Sequence, residues 1–547
     1  MVGKIFARED GEKQMGANDV MTGSASAGVT RAWKDIDDCQ VSDWIADNAL
    51  YFPHKTATVD LYSGRRQTYP QMHERVARIA GLLKARGVGK GERVAVLAMN
   101  STDMLDIQYG CWRIGAIYLP LNFRLTASEL TFIVNDASPS AVFVDEAFAA
   151  VANELRSTTN VAHWIQMDGK GGATEFEAAI DAATPIYEMV DLTPADLCMI
   201  MYSSGTTGLP KGVTFNYAMT NAFVLNTAPG FLASHNMVGF SVMPLFHIGG
   251  TNAFSVTSLF FGGTTVIMRA FEPGEALDVF NDPELGVTHF LGVPAIFNAL
   301  KEHPKNPTTD FSRLRYTVAG AETVPEELVH WWHKRGLVIQ ELYGMTESGG
   351  AVCVLAPHDI PGMIGSAGQT LRHCRIQITR SDGTKADPNE LGEIWLRGAT
   401  VTSGYWNRPE ANDESFVDGW FRSGDIGRMD ANGYVYVEDR LKDMYISGGE
   451  NVYPAEIENV LFGIPGAMEL AVIGVPDARW GEVGCVVVVP RPGQEVTIET
   501  IRTRCDGRLA RFKQPVHMVE IKSLPRNPTG KVLKFQLRKM VRDMIAP

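Results

Sequence analysis

Ser203-Ser204-Gly205-Thr206-Thr207-Gly208-Leu209-Pro210-Lys211-Gly212-Val213 gathers three glycines, four hydroxyl side chains and a lysine within eleven residues. Glycine lets backbone approach an anion without a Cβ in the way, hydroxyls add donors and Lys211 adds a cation, which together suit a polyphosphate. The spacing is not that of a Walker loop, because Lys211 precedes Gly212 instead of following it. The plain alternative is a flexible surface loop. A second constellation runs from Gly320-Ala321-Glu322 to Tyr343-Gly344-Met345-Thr346-Glu347. Here a ring among small residues can stack on a nucleobase, a hydroxyl can reach a phosphate and a carboxylate can hold Mg²⁺. Asp425, in Phe421-Arg422-Ser423-Gly424-Asp425, can accept from two vicinal ribose hydroxyls. Lys531 stands at the end of a Pro/Asn/Thr/Gly turn, where a lysine alone reads as solvated. His247, between Phe246 and Ile248, reads as a pocket-wall or core histidine. His330 and His333 read as helix-surface residues, since no third ligand at zinc spacing accompanies them.

These residues need a scaffold, and the chain supplies the signals of one. Met72, Val76, Ile79 and Leu83 step by four, three and four and predict an amphipathic helix closed at Gly87. Arg93 to Leu97, Ile117 to Leu119 and Ala141 to Val144 predict short buried strands separated by helices, the second from Thr102 to Arg113 and the third opened by a Thr126/Glu129 capping box. The apolar run from Leu197 to Met201 predicts a strand delivering the glycine loop. Such alternation implies an α/β layered architecture with largely parallel sheets. Near the end, Glu469 to Val475 and Val483 to Val489 predict strands, with Ile498, Ile501, Cys505 and Leu509 on one helix face. The charge run Glu438-Asp439-Arg440-Leu441-Lys442-Asp443 predicts an exposed boundary between a larger unit, 31–439, and a smaller one, 440–547. Residues 1–30, polar and rich in Gly, Ser and Ala, read as a disordered leader.

A length of 547 residues exceeds one core, and the composition is that of an ordinary soluble protein. A net charge of −13 argues against a nucleic-acid or anionic-membrane binder. From Arg440 onward 16 Lys/Arg face 12 Asp/Glu, leaving +4 there and −17 before it. Seven scattered cysteines without a C-x-x-C give neither zinc site nor disulfide framework, and a reducing cytoplasm is the expected compartment. No apolar run reaches the ~18–20 residues of a transmembrane segment.

In this order, the motifs Ser203–Val213, Tyr343–Glu347, Phe421–Asp425, Arg440–Glu458 and Pro525–Lys531 resemble the adenylate-forming superfamily of acyl-CoA synthetases, peptide-synthetase adenylation domains and beetle luciferases. Ser423 stands where the family usually has Thr and keeps the hydroxyl. The resemblance implies a large N-terminal domain of several α/β subdomains and a small mobile α+β C-terminal domain. It implies ATP, Mg²⁺ and coenzyme A as cosubstrates and cofactor. A carboxylate attacks the α-phosphate to give acyl-adenylate and pyrophosphate, and a thiol then releases AMP. Residue by residue, it implies that Ser203, Ser204, Gly205, Thr206, Thr207, Gly208 and Lys211 hold the β/γ-phosphates, Thr346 the α-phosphate and Glu347 the metal. Gly320, Ala321, Glu322, Tyr343 and Gly344 flank the adenine, and Asp425 with Arg440 takes the ribose. Lys531 bridges carboxylate and α-phosphate. Lys442 is the hinge, and Gly448, Gly449 and Glu450 enter a pantetheine tunnel.

The implied acid pocket comprises His247, Gly249, Gly250, Val293, Gly320, Gly344, Met345 and Val352. It offers no partner for an ammonium, so an aliphatic or aromatic acid, medium-chain fatty or phenylpropenoic, is expected rather than an amino acid. Alternatives are an enzyme that loads a carrier protein, or a catalytically silent nucleotide-binding relative. The family includes homodimers, but no heptad or apolar stripe marks such an interface here.

Overall fold

The structure, a computed structural model, describes residues 41–545 apart from 171, 173, 204–209, 323, 441, 449, 478 and 527–531. The 1–30 leader, Ser204, Gly205, Thr206, Thr207, Gly208, Gly449 and Lys531 lie outside the described residues. Four sheets organise the chain. In the first, strands His163–Met167, Ala141–Asp145, Arg93–Leu97, Ile117–Pro120 and Leu197–Ser203 run parallel, and Lys211–Asn216 closes the edge antiparallel. Arg93–Leu97 is a Val-rich strand whose last four residues are all buried, as a strand covered by helices on both faces requires.

The second sheet has nine strands. Its parallel core includes Val238–Ser241, His289–Gly292, Tyr316–Ala319 and Gln340–Met345, after which Gly350–Val354 turns back antiparallel. The helix predicted from Met72 is Tyr69–Ala85; its four named apolar residues are fully buried, and Thr68 and Gln71 form its capping box. Burial of each such side chain contributes about 1.5–3 kcal/mol. The Thr126/Glu129 capping box is present too, opening helix Ala127–Ala137.

The third sheet is antiparallel throughout and contains Cys374–Thr379, Gly392–Gly398, Trp420–Met429 and Val435–Arg440. The expectation of largely parallel sheets therefore holds for the first two sheets only. The charge run also differs from the exposed segment expected of it. Glu438, Asp439 and Arg440 are half-buried strand residues, because Arg428 pairs with Glu438 and Asp425 with Arg440 across the strands. A turn follows, in which the amides of Asp443 and Met444 donate to the Arg440 carbonyl.

The fourth sheet pairs the long strands Ala467–Asp477 and Gly481–Pro490, flanked by Tyr445–Ser447, Glu450–Val452 and His517–Glu520. Helices Pro454–Leu461, Ile498–Cys505 and Lys534–Ile545 complete this small α+β unit, which has its own apolar clusters. Among the described residues, two ion pairs connect this sheet-and-helix unit to the larger one, Arg491 to Glu302 at 3.0 Å and Arg504 to Glu327 at 2.8 Å. Among the described residues no helix is long and apolar enough to cross a membrane.

Candidate active site

The glycine loop begins at the end of strand Leu197–Ser203, and its far side re-enters the sheet at Lys211, which pairs with Ser203. Ser203 and Lys211, which flank residues 204–209, are thus direct partners across antiparallel strands. Residues 402–406 lie along the returning strand. The amide of Thr214 donates to the Gly404 carbonyl (3.1 Å), and that of Trp406 donates to the Gly212 carbonyl (2.7 Å). This places the Tyr405 ring 5.0 Å from the Lys211 ammonium, and the Tyr405 hydroxyl donates to Glu347 Oε1 at 3.1 Å. Sequence reasoning missed Tyr405, since its role arises from this distant pairing and only the Gly404-Tyr405-Trp406 run hints at it.

Thr346 and Glu347 sit on a short 3₁₀ turn, Thr346–Ser348, between strands Gln340–Met345 and Gly350–Val354. Gly344 allows the strands to approach: a Cβ there would lie 2.0 Å from the Gly350 carbonyl oxygen. Burial raises the Glu347 carboxyl above its ordinary pKa, opposed by the Tyr405 hydroxyl and Arg440. Among the described residues no cluster of three or more His, Cys, Asp or Glu forms. A buried carboxylate with few protein partners fits Mg²⁺, which takes one or two carboxylates and fills its other positions with phosphate oxygens and water.

Tyr343 is buried, and its hydroxyl donates to Asp425 Oδ2 at 2.7 Å. The other oxygen of Asp425 lies 3.2 Å from Arg440 Nε, the two residues being direct partners across antiparallel strands. Burial works against the Arg440 charge, but Asp425, Asp443 and Glu347 outweigh it and raise its pKa. The structure thus brings Lys211, Glu347, Tyr343, Asp425 and Arg440 into one connected group. Each Asp425 oxygen keeps acceptor capacity for a sugar hydroxyl.

Gly320 and Ala321 follow strand Tyr316–Ala319 at its carboxyl end, where open α/β sheets bind ligands. A Cβ on Gly320 would meet Leu342 at 2.8 Å, and Ala321 adopts φ of 69°, a left-handed conformation costing about 1–2 kcal/mol. Glu341 is 6% exposed and accepts from the Gly365 amide at 2.8 Å. Burial pushes its pKa up to about 8, with Glu326 adding to the rise and the Gly365 amide opposing it.

Of the residues expected to line the acid pocket, His247 is half-buried and caps the short turn Ile248–Gly250. Desolvation lowers its pKa to about 4, so the imidazole is neutral near pH 7. Gly250 packs against backbone, since a Cβ there would lie 2.1 Å from the Pro244 carbonyl, whereas a Cβ on Gly249 would make only an ordinary 3.7 Å contact with the His247 ring. Val293 and Met345 are half-buried, while Val352 belongs to the main apolar core. In the small unit, Gly448 has φ of 62° and its amide donates to the Trp480 carbonyl, with Glu450 exposed beside it. The carbonyl of Lys442 accepts from Arg538 at 3.3 Å.

A larger unit of two mainly parallel sheets and one antiparallel sheet, carrying the Lys211–Tyr405–Glu347 and Tyr343–Asp425–Arg440 contacts and joined to a small α+β unit, fits the class of adenylate-forming ligases. The chain belongs to the AMP-binding enzyme family, whose model matches residues 45–406, and the model of the AMP-binding enzyme C-terminal domain matches residues 456–531. It is 36% identical over 499 residues to the feruloyl-CoA synthase of Amycolatopsis sp, covering 91% of this chain and 98% of that protein. It is 35% identical over 498 residues to the long-chain-fatty-acid–CoA ligase FadD13 of Mycobacterium tuberculosis, covering 90% and 97%. The solved o-succinylbenzoate coenzyme A synthetase of Bacillus subtilis, in complex with ATP and magnesium ion, superposes with a TM-score of 0.81 at 30% identity, covering 90% of this chain and 99% of that one. The chain is accordingly an AMP-forming acid–CoA ligase of this family.

Proposed function

We propose that this ligase activates an apolar carboxylic acid, medium-chain fatty or phenylpropenoic, as its acyl-adenylate and transfers the acyl group to coenzyme A. The observation that carries the substrate class is the His247–Gly250 wall. Its histidine is held neutral, a Cβ on Gly249 would meet only the His247 ring at 3.7 Å, and none of the pocket residues carries a carboxylate to pair with an amino acid's ammonium. The relatives named for feruloyl-CoA and long-chain fatty acyl-CoA formation support the same class.

In-line attack on phosphorus needs charge stabilisation more than covalent help from the protein. Lys211 and the glycine loop neutralise the leaving pyrophosphate. Thr346 donates to the α-phosphate, and Glu347, oriented by Tyr405, would hold Mg²⁺, which would supply Lewis-acid stabilisation of the phosphate charge. Asp425, fixed by Tyr343 and Arg440, holds the ribose while Gly320, Ala321 and Glu322 border the adenine. Lys531 places its ammonium between carboxylate and α-phosphate. Residues 440–547 then turn about Lys442, withdrawing Lys531 and bringing Gly448, Gly449 and Glu450 to the entering thiol.

The test is an acid panel. Pyrophosphate release from MgATP is followed for fatty acids of graded length, hydroxycinnamic acids and amino acids, then AMP and thioester on adding CoA. Pyrophosphate release with apolar acids and none with amino acids is expected. Selective response to an amino acid, or acyl transfer to a carrier protein but not to CoA, would overturn the reading.

A further inference from the structure

The segment after the acid-pocket wall is unusual. Residues Thr251–Val256 form a π-helical turn in which every residue is buried. Such turns are rare and are frequently found at functional sites. The turn is secured from both ends. Ser255 Oγ donates to the Gly250 carbonyl at 2.8 Å, and Thr257 Oγ1 donates to the Asn252 carbonyl at 2.8 Å.

Asn252, 1% exposed, is the second residue of this turn. Its Nδ2 donates to the Gly349 carbonyl at 2.9 Å, a contact between residues 97 apart in sequence. Its Oδ1 is buried with no partner among the described residues, so the amide is kept in place at a cost in unsatisfied polarity. Gly349 ends the 3₁₀ turn that carries Thr346 and Glu347, in a left-handed conformation with φ of 72°. That turn is tied internally by Ser348, whose Oγ accepts from the Met345 amide and donates to the Gly350 carbonyl at 2.6 Å. From outside, the Thr402 amide donates to the Glu347 carbonyl at 2.7 Å and the Tyr405 hydroxyl to its carboxylate, while Asn252 ties the turn to the segment that follows His247–Gly250.

We infer that Asn252 is a positioning and specificity-determining residue. Its amide fixes the spacing between the His247–Gly250 wall of the acid pocket and the turn bearing Thr346 and Glu347. The inference rests on the proposed reading of those two segments as acid pocket and nucleotide turn. Adenylation requires the acid carboxylate to meet the α-phosphate in a near-attack geometry, and a displacement of about 1 Å can cost ~100-fold in rate. A wall fixed relative to the turn therefore converts the length and width of the acid into carboxylate placement.

The test uses the full-length enzyme with Asn252→Ala and Asn252→Asp, assayed by pyrophosphate release across the acid panel and by thermal unfolding. Asn252→Ala is expected to lower kcat about tenfold with the best acid and to narrow the spread of rates across the panel, with KM for ATP unchanged. Asn252→Asp can donate to Gly349 only when protonated, and burial raises its pKa. Its activity should therefore rise toward the parent's as pH falls, which a purely structural defect would not reproduce, and this holds even where the alanine variant does not fold. Discrimination and kcat equal to the parent's in Asn252→Ala, or an Asn252→Asp pH profile parallel to the parent's, overturns the inference alone. A parent enzyme that activates none of the acids overturns the functional reading and this inference with it.

Discussion

Replacing Glu341 by Gln should stabilise the protein, and the gain should depend on pH in a calculable way. The Glu341 carboxyl is 6% exposed, and its pKa is pushed up to about 8 by burial and by Glu326, against the pull of the Gly365 amide. An unfolded chain titrates near the ordinary glutamate value, so at pH 7 the folded state holds a proton that the unfolded state has released. Because the folded pKa is the higher, the stability this carboxyl contributes is fully present below the unfolded pKa and is lost as pH rises through the folded one. Each tenfold change in proton affinity is worth about 1.4 kcal/mol, which sets a ceiling of about 3 kcal/mol at pH 7 and about 5 kcal/mol above pH 8. Gln is nearly isosteric, keeps an acceptor for the Gly365 amide and has no charge to bury.

The assay is thermal unfolding of both proteins from pH 4.5 to pH 9 at one scan rate. The two should melt together at the acid end, diverge in favour of Gln through neutrality, and run parallel above the folded pKa. At roughly 2 °C per kcal/mol for domains of this size, the separation at pH 7 should be several degrees. A Gln variant less stable at every pH, or a difference that does not vary with pH, would refute the claim that the fold holds Glu341 protonated.

Lys531→Ala should lower adenylation at least ~100-fold while largely sparing thioester formation from supplied acyl-adenylate; equal loss in both half-reactions refutes the proposed bridge. Tyr405→Phe keeps the ring beside Lys211 but removes the hydroxyl on Glu347, and should slow pyrophosphate exchange about tenfold and raise KM for MgATP. An unchanged exchange rate would exclude Tyr405 from the site. Lys442→Pro should reduce overall turnover more than pyrophosphate exchange, because it restricts the backbone rotation between half-reactions; full turnover would count against the hinge.

What could be read from the sequence was what depends on neighbours along the chain. Met72, Val76, Ile79 and Leu83 announce their helix through spacing alone, and Thr126 and Glu129 form their capping box within four residues. The strands at Ala467–Asp477 and Gly481–Pro490 were visible as apolar runs, two residues short at each end of the first and at the start of the second. The antiparallel sheet of residues 374–440 was not legible, because its pairing is set by distant partners rather than by periodicity. The same limit explains the site. Tyr343, Glu347 and Asp425 were singled out by chemical type, but the Tyr343–Asp425 bond and the Tyr405 contact exist only once separate sheets meet. Asn252 and Glu341 are ordinary letters in apolar surroundings until burial makes them costly.

The two ion pairs joining the small unit to the large one share an orientation: both arginines, Arg491 and Arg504, are on the small unit and both glutamates, Glu302 and Glu327, on the large one. This matches the overall imbalance of +4 after residue 439 and −17 before it. Exposed pairs contribute only about 0.2–1 kcal/mol each, too little to lock an orientation. What they do instead is register the docking of two bodies already drawn together by opposite net charge, over a range of about 8–10 Å at moderate salt. Attraction of that kind is soft and largely independent of angle. For the proposed turn about Lys442, such an attraction would let the small unit rotate without having to escape from the large one, and ionic strength would set how loosely it is held.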